Sequence, residues 1–166
     1  MIRLRPWKKM DHALLPGWFA DEAAFAKWSN GVFAWPFTAE QFEAYQKESE
    51  QRGDRWSLAA LDDAGNTVGH IMIRQADFTA ESAYLGFIIL SPSMRGKGAG
   101  KQMVSQALRY AGTILGMKTA TLGVFANNPA AIGCYEALGF TEVGRKPAAL
   151  EFHGEAWDLI QMKAEL

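Results

Sequence analysis

Apolar residues fall into two rhythms along this chain. From Gly98 onward, Met103, Val104, Ala107, Leu108, Ala111, Ile114 and Leu115 recur at intervals of three and four. That is the stripe of a helix with one buried face, and Gly116 supplies its stop. On either side the pattern shortens to apolar runs over residues 82–90 and 119–125, which read as strands. Two strands joined through one helix must lie parallel. Residues 2–5 alternate as a strand, and residues 56–61 and 68–74 form a hairpin across Asp62-Asp63-Ala64-Gly65-Asn66-Thr67. Residues 14–28 read as a helix in two pieces, with Pro16-Gly17 as the break, and Thr38-Ala39-Glu40-Gln41 is a capping box that starts a helix over 39–51. Asn128 is placed to cap a helix with Pro129 in its first position, ending at Gly139. Residues 140–144 and 156–162 complete the strands. Strands first, then a βαβα unit, predict an α/β (α+β) fold: a mixed sheet with helices on both faces, in one domain over residues 1–166.

Composition narrows the functional classes. A chain of 166 residues can bury one core, and a net charge of −1 with 21% charged residues is that of an ordinary globular protein. Near-neutral charge argues against a nucleic-acid binder. No apolar run reaches 18 residues, so no membrane span is expected, and residues 1–5 lack the apolar core of a signal peptide. A single cysteine precludes an internal disulfide, no Cys/His cluster has metal-ligand spacing, and the expected compartment is cytoplasmic.

Charge is distributed unevenly. Between Glu81 and Glu136 there is no Asp or Glu, whereas Arg95, Lys97, Lys101, Arg109 and Lys118 all fall there. In a chain with 18 acids such a stretch would ordinarily hold several. Within it lies Arg95-Gly96-Lys97-Gly98-Ala99-Gly100, between the strand and the amphipathic helix. Three glycines let backbone N–H groups approach a ligand, and the helix start that follows carries unpaired N–H groups and positive potential. The turn is built for an anion. It is not a P-loop, because Arg95 stands at the first glycine and Gln102 at the hydroxyl position. Nor is it a dinucleotide fingerprint, because a frame opened at Gly96 ends on Lys101 and the following acid is missing.

Arg95, Gly98 and Gly100 fit the pattern [RQ]-x-x-G-x-[GA]. From Asn128 to Phe140 the chain reads N-x-x-[AS]-x-x-x-Y-x-x-x-G-F, with Tyr135 and Gly139 in place. Together these segments resemble the two signatures of the GNAT superfamily of N-acetyltransferases, closely over residues 84–143 and in pattern beyond. The resemblance implies a mostly antiparallel sheet with a parallel pair splayed at the cofactor site. It implies acetyl-coenzyme A as cosubstrate and direct transfer to an amine in a ternary complex. Its cofactor residues map onto Ile88, Ile89 and Leu90 for the pantetheine, Arg95, Gly96, Lys97, Gly98, Ala99, Gly100 and Lys101 for the pyrophosphate, and Asn128. It makes Tyr135 the general acid. A tyrosine with pKa near ~10 can return a proton to a thiolate of pKa roughly 8–9. Read as packing alone, Asn128 is a helix cap and Tyr135 a core residue. Cys134 has no base beside it in sequence and reads as a small buried hydrophobe. His12 and His153 read as surface residues, while His70 could face either side of its strand.

The chain departs from the family at the general base. Many members carry a glutamate on a central parallel strand, and residues 82–135 hold no acid here. An amine of pKa ~10 must lose a proton before it attacks. Glu22, Glu81, Glu155 and Asp158 are the candidates, or a water chain. The acceptor is expected over the aromatic N-terminal third, where several of Trp18, Phe19, Phe25, Trp28, Phe33, Trp35 and Phe37 read as core anchors by helical spacing, while residues 31–37 read alternatively as a loop lining the acceptor mouth, and Asp21 and Glu22 could hold a cation. A small amine is favoured over a protein α-amine, and a non-catalytic acyl-coenzyme A binder is the rival from another class. A homodimer is left open.

Overall fold

The structure, a computed structural model, describes residues 1–166. Its seven strands are β1 (Arg3–Pro6), β2 (Trp56–Leu61), β3 (Thr67–Asp77), β4 (Ser82–Leu90), β5 (Thr119–Phe125), β6 (Thr141–Phe152) and β7 (Glu155–Glu165). They form one sheet in the order β1-β2-β3-β4-β5-β7-β6. Every neighbouring pair is antiparallel except β4 and β5, which the helix α3 (Ala99–Thr113) joins as a crossover. The other helices are α1 (Glu22–Ser29), α2 (Ala39–Glu50) and α4 (Pro129–Glu136).

The predicted stripe of α3 is what buries it: Met103, Val104, Ala107 and Ala111 are inaccessible to solvent and pack against Leu85, Leu122 and Met162 of the sheet. Each large apolar side chain so buried contributes about 1.5–3 kcal/mol. On the opposite face Trp7, Trp18, Phe25, Phe37 and Phe42 form a second, aromatic core. The N-terminal helices therefore cover one face and α3 with α4 the other.

Three expectations from sequence need correction. Pro16 lies inside a 3₁₀ helix, Lys9–Trp18, rather than at a break. Leu15 and Trp18, three residues apart and both buried, suit a three-residue turn as well as an α-helical one. The break falls at residues 19–21, where the Asp21 carboxylate accepts the Ala24 N–H at 2.8 Å and starts α1. The closing strands are also longer than the apolar pattern suggested. β6 is an edge strand whose residues 141–148 are exposed, so it needs no apolar alternation and tolerates Pro147. Its turn into β7 uses His153 and Gly154, both at positive φ (48° and 82°), as a tight hairpin requires. Finally, His12 is buried rather than superficial, its Nδ1 accepting the Trp7 indole N–H at 2.9 Å.

β4 carries an irregularity that matters for everything downstream. It pairs with β5 only from Ser82↔Thr119 to Leu85↔Leu122. Immediately beyond, the β3–β4 register slips: His70 pairs with Ile89 but Met72 with Gly86, leaving one extra residue in β4. Phe87 within this bulge sits at φ +50°, a left-handed conformation rare for an aromatic residue. Its carbonyl oxygen lies 2.8 Å from Nδ1 of the wholly buried His70, whose Nε2 is 2.7 Å from Ser57 Oγ. A carbonyl can only accept, so Nδ1 carries the proton and Nε2 accepts from the serine hydroxyl. Complete burial disfavours the imidazolium, so the ring is neutral and takes this tautomer.

Burial lowers the His70 pKa from 6.5 to about 4. The unfolded chain then binds this proton more readily than the folded one, so the stability involved is complete above about pH 6.5 and is lost as pH falls toward 4, on the order of 3 kcal/mol. The urea midpoint of the wild-type protein is expected to drop between pH 7 and pH 4.5. His70→Gln should start lower at pH 7 and lose less over that interval. Equal pH slopes for both proteins would remove His70 from this role.

Candidate active site

Because β4 and β5 part after Leu85 and Leu122, a cleft of about 790 Å³ opens between their ends. One wall is β4 from Leu85 to Leu90, the other is β5 from Gly123 to Phe125 together with the Asn128–Tyr135 face of α4. The glycine turn and the start of α3 close one end, and Phe19, Asp21, Lys27 and Trp28 reach in from the aromatic face.

The turn owes its shape to two residues at positive φ, Gly96 at 70° and Gly98 at 76°. A Cβ at either would meet nothing within 4 Å, so conformation and not crowding demands glycine there. Gly100 has ordinary φ, and a Cβ on it would sit 3.5 Å from Leu90, a normal contact. This accounts physically for a motif that accepts alanine at that position. Gly98 occupies the cap position of α3 and offers no side chain to its first N–H groups. Those donors face the cleft end with the helix dipole behind them. Neither Lys97 nor Lys101 is in an ion pair. Arg95 is committed differently: its guanidinium donates to the carbonyl oxygens of Leu90 (Nε at 3.1 Å) and Trp18, fastening the turn to the end of β4 and to the N-terminal segment.

Ile88, Ile89, Leu90, Arg95, Gly96, Gly98, Gly100, Lys101, Asn128 and Tyr135 all line this one cleft. Two of the sequence candidates do not. Lys97 is exposed outside it, and the Ala99 methyl is buried in the α3 core, so only its backbone can serve the turn. Asn128 does two things. Its Oδ1 caps α4 by accepting the Ala131 N–H at 3.4 Å, with Pro129 in the first helical position, while its side-chain NH₂ has no protein partner. Tyr135 is buried, with its ring edge-on to Phe140 at 5.9 Å, and its hydroxyl makes no hydrogen bond within the protein. Burial, then Cys134 and Tyr84, push its pKa well above the usual tyrosine value. The hydroxyl stays protonated and is available as a donor. Cys134 is half-buried, with burial raising its thiol pKa, which suits packing and not nucleophilic attack.

None of the four carboxylates considered as a base reaches the cleft. Glu22 is 3.0 Å from His153, Glu81 pairs with Lys118, Glu155 accepts the Trp157 indole N–H, and Asp158 accepts the Ala148 N–H. Asp21 is the one carboxylate lining it. Of the two readings of the aromatic segment 31–37, core anchors or the mouth of the acceptor site, Phe33 and Phe37 follow the first. Phe33 stacks on Trp28 at 5.5 Å and Phe37 is buried, so these rings build the core behind the cleft. Sequence reading missed Gly123, Val124 and Phe125, although the predicted parallel pairing of 82–90 with 119–125 was the signal that would have found them.

Similarity to known proteins agrees with this geometry. The model of the acetyltransferase (GNAT) family matches residues 22–140. A spermidine N(1)-acetyltransferase of Vibrio cholerae is 29% identical over 120 residues, covering 72% of this chain and 68% of that protein. A putative phosphinothricin acetyltransferase of Bacillus subtilis is 33% identical over 79 residues, 48% of each chain. In fold, the chain superposes with a TM-score of 0.85 on the crystal structure of the Vibrio cholerae spermidine N-acetyltransferase in complex with CoA and spermine, at 22% identity over 99% of this chain and 95% of the other. No helix is long and apolar enough to cross a membrane. The chain belongs to the GNAT family of acetyltransferases and is an acetyl-coenzyme A-dependent N-acetyltransferase.

Proposed function

We propose that the acceptor is the primary amine of a small molecule, which attacks the thioester carbonyl of acetyl-coenzyme A directly, in a ternary complex in the β4–β5 cleft, and expels the coenzyme A thiolate. The observation that carries this reading is the continuity of the cleft. It runs from a turn built for an anion, along the unpaired edge of β4, to a tyrosine hydroxyl with no protein partner. The pyrophosphate sits on the N–H groups at Gly98–Lys101, with Lys101 adding charge. The pantetheine lies against residues 88–90 as an added strand, where a backbone N–H stabilises the thioester oxygen as it gains charge. Asn128 donates its free NH₂ to the cofactor.

Tyr135 donates a hydrogen bond to the departing sulfur. Because burial raises its pKa, full proton transfer is uphill, so its share of catalysis is stabilisation of the forming thiolate, with the proton following. Asp21, the one carboxylate lining the cleft, caps α1 through Oδ1, and water carries the amine proton out of the cleft. The relatives named for spermidine acetylation support a small amine over a protein N-terminus.

Gly98→Val should weaken acetyl-coenzyme A binding at least tenfold while leaving the fold, because a β-branched residue is strained at φ +76° and would remodel the turn. Calorimetry with the folded variant checks this, and unchanged affinity would remove the turn from the pyrophosphate site. Tyr135→Phe should lower kcat by about 10²-fold with little change in cofactor affinity, since it removes only the donor. Wild-type turnover in that variant would return Tyr135 to a packing role.

A further inference from the structure

Arg74 on β3 stands out because nothing answers its charge. No carboxylate lies within ion-pair distance, and its Nε is buried without a hydrogen-bond partner. The guanidinium is held instead between two rings, with its central carbon 4.9 Å from the centroids of both Tyr84 and Phe87. It rests on the bare backbone of Gly86, where a Cβ would come within 2.9 Å of Nε. Gly86 and Phe87 line the cleft while Arg74 itself does not, so this cation lies against the outside of that wall, at the rim beside the point where β4 and β5 part.

The surroundings deepen the imbalance. Arg55, at the start of β2, donates to the hydroxyl of Tyr45 (3.3 Å), whose ring is edge-on to Phe87 at 5.4 Å. The carboxylate at that end, Asp54, is already shared between Arg55 at 3.2 Å and Arg52 at 3.6 Å. Lys27 enters the cleft from α1, and Asp21 is its single carboxylate. A polycation would meet net repulsion here.

We infer that the acceptor carries a carboxylate as well as its amine, and that Arg74 is the group that binds the carboxylate. A guanidinium held close to two rings presents its remaining N–H donors in a planar fork, the geometry that matches a carboxylate. The two rings and the burial of Nε shield one side of the guanidinium and strengthen the pairing, and the bound carboxylate cancels a charge that the protein leaves uncompensated. The amine, a few bonds away, then points along Gly86 and Phe87 toward the β5 side. Gly86 is required because any side chain there would displace the guanidinium. This inference rests on the small-amine reading above and refines it to amino acids and their close analogues.

The test measures binding separately from turnover. The protein loaded with coenzyme A is titrated calorimetrically with matched pairs that differ by one carboxylate: L-phenylalanine and phenethylamine, L-methionine and 3-(methylthio)propylamine, and L-ornithine and putrescine, with spermidine as a further probe. In at least one pair the acid should bind about tenfold or more tightly than its decarboxylated partner. Arg74→Met should bring that ratio toward one, and Arg74→Lys, which keeps the charge, should restore part of it. If no acid binds more tightly than its partner, if spermidine outcompetes every acid, or if the preference survives Arg74→Met, the inference is wrong. Thiol release is followed in parallel. Binding with the predicted preference but without release upholds the carboxylate site and counts only against direct acetyl transfer.

Discussion

The contact on which the rest of the site depends is the one between His70 and the carbonyl of Phe87. A parallel pair in the middle of a sheet would ordinarily stay zipped, because each unpaired backbone group costs free energy once buried. Here one extra residue enters β4, Phe87 turns to positive φ, and its carbonyl is rotated away from the ladder. A buried imidazole meets that carbonyl, and Ser57 and the rings of Trp7 and Phe42 fix the imidazole. The bulge is thereby held at a defined place. β5 loses its partner at Leu122, and a cleft opens in the centre of a sheet that is otherwise continuous. The same bulge turns Phe87 toward the aromatic face, where it meets Trp28 and helps to hold Arg74.

Electrostatics divide the cleft into two ends with one sign of charge. The absence of acids over residues 82–135 suits the phosphates at the glycine turn, and at the same time it removes the glutamate that would serve as a nearby base. The other end shares that character: Lys27 and Asp21 line it, and Arg74 stands at its rim with no carboxylate partner. What similarity to spermidine acetyltransferases conveys is the scaffold and the cofactor.

How much of this was legible in the sequence depended on burial. Residues 56–61, 82–90 and 119–125 match their observed strands because central strands must be apolar, whereas β6 was read short because an exposed edge places no such demand on residues 145–148, which carry no apolar alternation on to the half-buried Ala149, Leu150 and Phe152. The cofactor turn could be read because glycine at positive φ is a local requirement, met at Gly96 and Gly98 whatever the tertiary context. The facing of His70 could not be read, since its partner is a carbonyl exposed only by a bulge that leaves no mark in composition. Arg74 was invisible for a related reason. What singles it out is the lack of any partner, and that is a property of three-dimensional surroundings. Asp21 lies between these cases: its cap of α1 follows a familiar local pattern, but its position in the cleft depends on how α1 lies across β4.

The central claim is that the cofactor lies in the gap that the bulge opens. Amide hydrogen exchange with and without acetyl-coenzyme A addresses it most directly, because the gap-facing amides of β4 and the first amides of α3 have no partner in the free protein. The account predicts new protection confined to residues 86–90 and 96–101 on binding. Protection elsewhere, for example along the exposed edge of β1, with those two segments unchanged, would contradict it.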